Sequence, residues 1–286
     1  MNRAVFRDTD EPARSGQTPF LSHSRLSRYL HCPEQYRLYY VENLRPRIPA
    51  ASLIFGQAIH QALATLFRSL GDSVKHFQEI WHGISDLELD YSVKESWDKL
   101  KTTGEILLAR FVAEELPRLR NIGAVEKVFE LGITNLDLPF VGVIDLVADL
   151  DGKKTVVDFK TSALPYQEHE VILSDQLTAY MLAQPEADQV ALCVMVKAKV
   201  PKIEWHLTHR TPEQLTDYLA KAGLVALEIT AGHFYKRPGK WCAWCDYLPV
   251  CAGKTDEAAK ALVRIDDPGG HEDLEPRRKE TSHASA

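Results

Sequence analysis

The chain has 286 residues, of which 45% are hydrophobic and 26% are charged, and its formal net charge is −6. This is the composition of an ordinary globular protein, and the length suffices for one large domain with a sizeable core. The acidic balance excludes a generally basic protein that coats nucleic acid, so any surface of that kind has to be local. No apolar run reaches the roughly 18 residues that a membrane span requires.

The two ends of the chain differ in composition from the middle. Residues 1–17 and 264–286 are polar and contain Pro and Gly, so we expect disordered tails there. The first residues lack the apolar segment of a secretory signal, and we therefore expect a cytoplasmic protein. Residues 18–253 are expected to form a single domain.

The first half of this domain is predicted to be helical. Two short helices broken before Pro33 are expected in "SRLSRYLHCPEQYRLYYVENL", because the residue before a proline disfavours helix. Helical spacing of apolar residues in "SLIFGQAIHQALATLFRSL" predicts an amphipathic helix. Its apolar face would consist of Ile59, Leu63, Leu66, Phe67 and Leu70. A further helix is predicted over about 92–119, so that 53–120 forms a helical region over the rest.

Strands follow the helices. Three are predicted in "AVEKVFELGIT", "PFVGVIDLVADL" and "KTVVDFKTS", and the turn signal "DGKK" separates the last two. A helix over 168–183 and the strands "QVALCVMVKA" and "KIEWHLTH" come next. A last helix is expected from an N-cap at Thr211 to Gly232. This order predicts an α/β fold with a mixed sheet over 121–210 and the first-half helices packed over it.

Two of these strands carry Asp145, Asp158 and Lys160. Side chains alternate along a strand, so Asp158 and Lys160 share a face, and a hairpin would place Asp145 beside Asp158. Neighbouring carboxylates repel unless a cation joins them, and a hard divalent ion such as Mg²⁺ takes oxygen ligands. Lys160 would then orient the attacking water or stabilise phosphate charge, which is chemistry for phosphodiester hydrolysis. Spacing alone leaves open the alternative of two solvated acids and an exposed lysine.

Further candidate residues lie on predicted helices. His60 follows Gly56 in "FGQAIHQAL", although a histidine on such a helix is more often an ordinary core or surface residue. Gln176 and Tyr180 in "DQLTAY" lie four residues apart and therefore on one helical face. Alternatively, these two residues only pack the helix on the sheet.

The order of these motifs resembles the RecB-like branch of the PD-(D/E)XK nucleases over residues 20–253. The matching segments are G-x-x-x-H at Gly56–His60, G-x-I-D at Gly142–Asp145, D-x-K-T at Asp158–Thr161, and Q-x-x-x-Y at Gln176–Tyr180. The resemblance implies a restriction-endonuclease-like mixed sheet core flanked by helices. It also implies a metal-dependent DNA nuclease that uses Mg²⁺ or Mn²⁺.

The same resemblance implies roles for individual residues. The catalytic residues would be Asp145, Asp158 and Lys160. The metal ligands would be His60, Asp145, Asp158 and the backbone carbonyl of Phe159. Gln176 and Tyr180 would position DNA near the site, and Glu126 is a candidate for an acid that this branch often carries on the preceding strand.

Five cysteines without a secretory signal fit a reducing compartment. Cys193, in a strand-like run, is expected to be an inert buried thiol. The pattern C-x2-C-x5-C at Cys242, Cys245 and Cys251 lacks a fourth ligand, which Cys32 would supply. Structural zinc sites usually show two C-x2-C pairs, whereas a cubane cluster places each cysteine on a different iron. A zinc site and unligated thiols remain the alternatives.

One cysteine before the nuclease core and three after it are also found in a subset of RecB-like nucleases. The subset includes the CRISPR-associated single-strand exonucleases and the AddB-type helicase–nuclease subunits. The resemblance implies a structural [4Fe–4S] cluster in a C-terminal segment, 240–253, that is closed by Cys32. It further implies an exonuclease on single-stranded DNA ends, with 5′-to-3′ polarity taken from the CRISPR-associated relatives, in DNA repair, recombination or CRISPR adaptation.

A second hypothesis is a non-catalytic or conditionally active DNA-end-binding subunit of a larger helicase–nuclease or CRISPR complex. The intact acid and lysine motifs argue against loss of catalysis. No G-x-x-x-x-G-K-[ST] motif is present, so unwinding would come from a helicase partner. Early arginines interleaved with tyrosines either bind single-stranded DNA or pack the first helices into the core. They are Arg25, Arg28, Arg37, Arg45, Arg47, Tyr29, Tyr36, Tyr39 and Tyr40.

Overall fold

A five-stranded mixed sheet organises the protein, whose computed structural model describes residues 20–132 and 138–265. The strands are β1 (Leu44–Pro46), β2 (Leu119–Leu131), β3 (Phe140–Leu150), β4 (Lys153–Ser162), β5 (Gln189–Val196), β6 (Lys202–Thr208) and β7 (Leu262–Arg264). The α-helices are α1 (His23–His31), α2 (Pro33–Tyr36), α3 (Ala51–Ser69), α4 (Ser73–Gly83), α5 (Trp97–Arg110), α6 (Glu168–Ile172), α7 (Asp175–Ala183), α8 (Pro212–Thr230), α9 (Leu248–Cys251) and α10 (Thr255–Ala261).

The large sheet has the strand order β2-β3-β4-β5-β6. Antiparallel pairing joins β2 to β3, β3 to β4 and β5 to β6, whereas β4 and β5 run parallel. The parallel pair requires a crossover, which α6 and α7 provide. Every residue of β5 is buried, as expected for a strand covered on both faces. The predicted mixed α/β fold is therefore confirmed.

The β3–β4 hairpin forms where the sequence predicted it. Asp151 and Gly152 have φ angles of 50° and 84°, so both central residues of the turn adopt the left-handed conformation. Two-residue turns of this kind match the right-handed twist of the strands they join. The hairpin fixes the register, which pairs Leu150 with Lys153 and Leu146 with Val157.

Helices cover both faces of the sheet and enclose two apolar clusters. Helices α3, α4 and α5 pack on one face, where Phe67 of α3 stacks on Phe159 of β4 with ring centroids 5.9 Å apart. Helices α1, α7 and α8 pack on the other face, where Tyr180 and Tyr218 are buried. Since α3 and α7 both contact β4, each helix brings side chains to the same hairpin.

The helical predictions hold with four differences. Helix α3 ends at Ser69, and Leu70 is a left-handed C-cap that is 84% exposed, so its predicted place on the apolar face is wrong. The helix predicted over 92–119 begins at Trp97 because Ser96 caps it. The helix predicted over 168–183 is two helices, since α6 ends at Ile172 and Ser174 caps the start of α7. Helix α4 was not predicted.

A two-stranded sheet joins distant parts of the chain. Strand β1 pairs with β7, so that Leu44 lies opposite Arg264 at the start of the predicted C-terminal tail. The Tyr247 hydroxyl donates a hydrogen bond to the Leu44 carbonyl at 2.8 Å. The segment after α2 and the C-terminal segment are therefore packed together. None of the helices in the described part of the chain has the length and apolar character to cross a membrane.

Candidate active site

The candidate site lies at the β3–β4 hairpin, which carries both aspartates. Regular pairing extends to Leu146 and Val157, and just beyond it the Phe159 N–H donates to Asp145 Oδ2 at 2.8 Å. Asp145 is thus held against β4 next to Asp158, and its charge raises the pKa of Asp158. The predicted proximity of the two acids across a hairpin is observed.

His60 reaches this hairpin from α3. Its Nδ1 lies 3.4 Å from Asp145 Oδ1. A Cβ atom on Gly56, one turn earlier, would lie 3.2 Å from Thr161 Oγ1, so the glycine permits the close approach of α3 to β4. In the G-x-x-x-H motif, Gly56 is therefore required for close packing, and His60 interacts with the charge of Asp145.

His60 and Asp145 each favour the charged form of the other. Burial lowers the pKa of His60, but the adjacent Asp145 carboxylate outweighs this and leaves the pKa raised. Burial raises the pKa of Asp145, but His60, Lys160 and the Phe159 N–H together hold it below its ordinary value. Opposite charges at short range favour both charged forms.

Asp158 is in a different electrostatic state. Its side chain is almost fully buried, and burial raises its pKa to about 6, against the opposing effect of Lys160 and with a further rise from Asp145. Lys160 Nζ lies 3.1 Å from Asp158 Oδ2 and 3.3 Å from Oδ1. The lysine and the acid of the D-x-K motif are therefore in direct contact, as their shared strand face predicted.

Gln176 and Tyr180 support Asp158 from α7. Tyr180 Oη lies 2.7 Å from the Val143 carbonyl and 3.1 Å from Asp158 Oδ1, so its single proton faces two acceptors. The Gln176 side-chain amide donates to Tyr180 Oη at 2.9 Å. Both side chains are buried. The structure thus places them behind the acid, and their contact with DNA remains a prediction.

Gly142 determines how closely this support packs. A Cβ atom there would lie 2.6 Å and 2.7 Å from ring carbons of Phe129. The Phe129 ring in turn packs edge-on against Tyr180, with centroids 6.0 Å apart. The glycine of the G-x-I-D motif is therefore required for the packing that holds Tyr180 at Asp158.

Glu126 lies at the same site from the preceding strand. It lines a small pocket with His60, Asp145 and Phe159, and it pairs with Arg68 at 2.5 Å. Its φ is 49°, a conformation uncommon for residues other than glycine. Strand β2 is therefore locally irregular at Glu126, where this residue lies beside Asp145. The sequence predicted an acid on this strand but not the irregular backbone.

Tyr166 is a further neighbour of the site that the sequence did not single out. Burial raises the pKa of its hydroxyl, and the charges of Lys160 and Asp158 also act on it. Tyr166 lies in the segment between β4 and α6, which carries no recognisable motif. Only the fold brings this residue to the hairpin.

Each aspartate of this site has an ion-pair partner among the described residues, but Asp158 Oδ2 is buried without a hydrogen bond. His60 contacts Asp145 and Lys160 contacts Asp158. Within residues 20–132 and 138–265, no three or more His, Cys, Asp or Glu side chains are arranged as ligands of one metal ion. The donor set nevertheless suits a hard divalent cation, because two adjacent carboxylates and a backbone carbonyl offer oxygen ligands.

Three of the four motif cysteines are close enough to interact electrostatically. Burial raises the pKa of Cys245 and of Cys251, and the thiol of Cys32 adds to both shifts. Cys242 is also half-buried, and none of the four forms a disulfide. The fold therefore brings Cys32 to the C-terminal segment across about 210 residues of chain, as predicted. Cys193 is fully buried in β5, as expected.

The early arginines and tyrosines have mainly structural contacts. Tyr29 and Tyr36 are buried in the core, which confirms the packing alternative for these two. Arg37 pairs with Glu34 and Glu42. Arg25, Arg28 and Arg45 lie over aromatic rings, with Arg28 centred 3.7 Å from the ring of Tyr39 and Arg45 3.4 Å from the same ring.

A mixed sheet whose central hairpin presents two aspartates and a lysine defines a class of nuclease folds. The chain belongs to the PD-(D/E)XK nuclease superfamily, whose family model matches residues 20–252. This confirms the superfamily seen in the motifs; the RecB-like branch and the iron–sulfur, CRISPR and AddB features stay predictions. Comparison with curated protein sequences finds no match.

Solved structures show a similarity of fold. The crystal structure of a candidate exonuclease from Eubacterium rectale matches with a TM-score of 0.53 at 12% identity, over 80% of this chain and 87% of that one. The crystal structure of SSO0001 matches with a TM-score of 0.42 at 13% identity, over 84% of this chain and 89% of that one. The first supports the fold, and the second carries no argument.

Proposed function

We propose that the protein is a metal-dependent nuclease that hydrolyses phosphodiester bonds of DNA. The observation that carries this proposal is the gathering of Asp145, Asp158, Lys160 and His60 at one hairpin. A buried carboxylate whose pKa is raised to about 6 beside a second carboxylate costs stability, and such sites are typically functional.

A divalent ion would give these acids a favourable partner. His60, Asp145, Asp158 and the Phe159 carbonyl would hold Mg²⁺ or Mn²⁺, which when bound supplies Lewis-acid stabilisation and activation of water. Ligation requires the neutral imidazole, so metal binding would release the proton that the Asp145 carboxylate favours on His60.

The chain's own residues supply the remaining chemistry. Lys160 is only partly buried and keeps its ammonium group at Asp158, so it can face a phosphate while the acid holds it in place. A fixed cation at that position stabilises the negative charge that develops on the phosphate oxygens during hydrolysis. Tyr180 and Gln176 orient Asp158 from behind and limit its rotation.

The proposed substrate is a single-stranded DNA end, attacked by an exonuclease with 5′-to-3′ polarity in DNA repair, recombination or CRISPR adaptation. Support comes from the motif resemblance and from the fold shared with the candidate exonuclease from Eubacterium rectale. The helical region of α3, α4 and α5 packs over the sheet beside the hairpin, which favours a narrow approach to the site.

The proposal is tested with the purified full-length chain and DNA labelled at either end. Single-stranded, blunt duplex and circular single-stranded substrates are incubated with Mg²⁺, with Mn²⁺ or with chelator, alongside Asp158→Asn. Mono- or short oligonucleotides released from one labelled end of linear single strands support the proposal and give the polarity. Cleavage of the circle contradicts the exonuclease, and equal activity of Asp158→Asn contradicts the site.

The alternative of a DNA-end-binding subunit predicts a different result. The wild-type protein would bind DNA ends tightly but leave them intact in every metal condition. Activity that arises only on addition of a co-purifying helicase or CRISPR protein would favour the conditionally active form. The intact contact between Lys160 and Asp158 at the hairpin favours the enzyme.

We also propose that the cysteines hold a structural [4Fe–4S] cluster. It is supported by the approach of Cys32 to Cys245 and Cys251 at a place where β1 and β7 already join the two segments. A cubane spreads its thiolates over different irons, so they lie further apart than the ligands of one ion.

Anaerobically purified protein should contain about four irons and four sulfides per chain. Cys32→Ser should lower the iron content, whereas Cys193→Ser should not. Zinc instead of iron, or neither, would contradict the cluster.

A further inference from the structure

The segment that follows α8 and includes Cys242 combines exposed aromatic and basic side chains. The sequence "YKRPGKWCAW" covers residues 235–244, which we call the basic aromatic loop. Trp244 is 80% exposed and Tyr235 is 57% exposed, while Lys236, Arg237 and Lys240 are also exposed. Large aromatic side chains are normally buried, so two of them beside three cations on one loop indicate a binding surface.

Within the described residues, the cations of this loop bond to backbone carbonyls or to no acid. Lys236 donates to the Cys251 carbonyl at 2.9 Å, and Arg237 donates to the Leu30 carbonyl. Across residues 20–132 and 138–265, neither they nor Lys240 forms an ion pair with a carboxylate. In a chain of net charge −6, this concentration of unpaired cations is local and favours an anionic partner.

Internal contacts hold the loop in a defined shape. The Trp241 indole N–H donates to the Arg237 carbonyl at 3.0 Å, and the Arg237 guanidinium lies 5.5 Å from the centre of the Trp241 ring. His31 of α1 packs against the same ring at 5.7 Å. A Cβ atom on Gly239 would overlap the ring of Trp241, so the glycine permits this packing. Trp241 thus anchors the loop, and Trp244 is left to face solvent.

Helix α1 connects this loop to the candidate active site. Its C-terminal residues Leu30 and His31 contact the loop, and its first residue, His23, lines a pocket with Gln176 and Tyr180. At about 1.5 Å per residue, the helix separates the two places by about 14 Å. The loop therefore lies about one length of α1 from the residues that support Asp158 from behind.

We propose that the basic aromatic loop is a second contact site for single-stranded DNA, in which a base stacks on Trp244 while Lys236, Arg237 and Lys240 face the phosphates. The combination of an exposed ring with basic neighbours is the one that single-strand-binding surfaces use. The proposal rests on the proposed nuclease function and extends it. The site holds the substrate outside the catalytic hairpin, on a segment that also carries Cys242.

The test is equilibrium binding of a labelled oligonucleotide of about 20 deoxythymidines, longer than the ~4–16 nucleotides that single-strand-binding folds cover. Chelator is present so that the full-length wild-type protein binds without cutting. The variants are Trp244→Ala, Trp244→Phe and Lys240→Ala. The matched controls are Leu224→Ala, on an exposed apolar residue of α8, and Lys101→Ala, on an exposed lysine of α5. Thermal melting compares the stability of all five.

Loss of base stacking should weaken binding of Trp244→Ala about 5- to 100-fold, and Trp244→Phe should retain most of the affinity because its ring still stacks. Lys240→Ala should reduce the slope of log affinity against log salt by about 0.7. Both controls should match the wild type. Wild-type affinity and salt dependence in Trp244→Ala and Lys240→Ala would overturn the loop proposal alone. A wild-type protein that neither binds nor cuts DNA would overturn the proposed function as well.

Discussion

Gly142→Ala is expected to disturb the active site through packing alone. The new methyl group would lie 2.6 Å and 2.7 Å from two ring carbons of Phe129, far inside normal contact distance. Phe129 is 8% exposed and stacks on Phe140, and its ring also packs edge-on against Tyr180. A displaced ring therefore disturbs Tyr180, whose hydroxyl contacts Asp158.

The size of the effect follows from this overlap. Inserting a methyl group into a well-packed core costs about 1–3 kcal/mol. At roughly 2–4 °C per kcal/mol for a domain of about 200 residues, the melting temperature should fall by about 2–12 °C. Displacement of Tyr180 should also reduce kcat, because misplacement of a catalytic group by about 1 Å can cost about 100-fold.

Two other glycines separate stability from activity. Gly104→Ala creates an even closer overlap with Phe77, but between α4 and α5, so it should lower the melting temperature and leave kcat per folded molecule unchanged. A Cβ atom on Gly83 would have no neighbouring atom within 4 Å, so Gly83→Ala should change neither the melting temperature nor kcat. Thermal melting and single-turnover cleavage of single-stranded DNA measure both quantities.

A double substitution tests the stated cause. Phe129→Leu in the Gly142→Ala background removes the overlapping ring atoms and should recover part of the lost stability, which gives a coupling energy between the two positions. The reasoning would be refuted if Gly142→Ala kept wild-type stability and kcat. It would also be refuted if Gly104→Ala lost kcat to the same extent.

Two further predictions concern the acids. The pKa of Asp158 is about 6 in the folded protein and 3.8 in an unfolded chain, so the folded state binds the proton of this carboxyl more tightly. The free energy of unfolding therefore decreases as the pH rises from about 4 to about 6. Asp158→Asn should therefore stabilise the metal-free protein at neutral pH by at most about 3 kcal/mol and raise its melting temperature. A lower melting temperature would contradict the electrostatic account. Mg²⁺ at about 100 times its dissociation constant should stabilise the wild type by about 2.7 kcal/mol, and Asp145→Asn should lose most of this gain in a thermal shift assay.

Local signals in the sequence predicted the elements that position the site. The "DG" turn between two alternating runs specified the β3–β4 hairpin, and the hairpin brought Asp145 to Asp158. Apolar spacing specified α3, and with it the direction of His60. Such features depend on residues near one another in the chain, which is why they can be read without the fold.

Features that depend on tertiary contacts were not predictable. The left-handed φ of Glu126 and the position of Tyr166 arise from how β2 and the β4–α6 segment pack, and neither has a sequence signal. Leu70 satisfies the apolar spacing of α3 but lies beyond its last turn, because the helix ends in a left-handed cap. Periodicity reports which residues share a face, and it does not report where a helix stops.

The most direct test of the central claim is the single-turnover rate of single-stranded DNA cleavage by Lys160→Met and by Lys153→Met, with Mg²⁺ present and equal amounts of folded protein. Both lysines lie on β4, but Lys153 is exposed at the hairpin turn, whereas Lys160 contacts Asp158. Loss of one preorganised charge at the reacting phosphate costs about 100- to 1,000-fold in rate. The account predicts a loss of this size for Lys160→Met and wild-type cleavage for Lys153→Met. Equal rates for the two variants would contradict it.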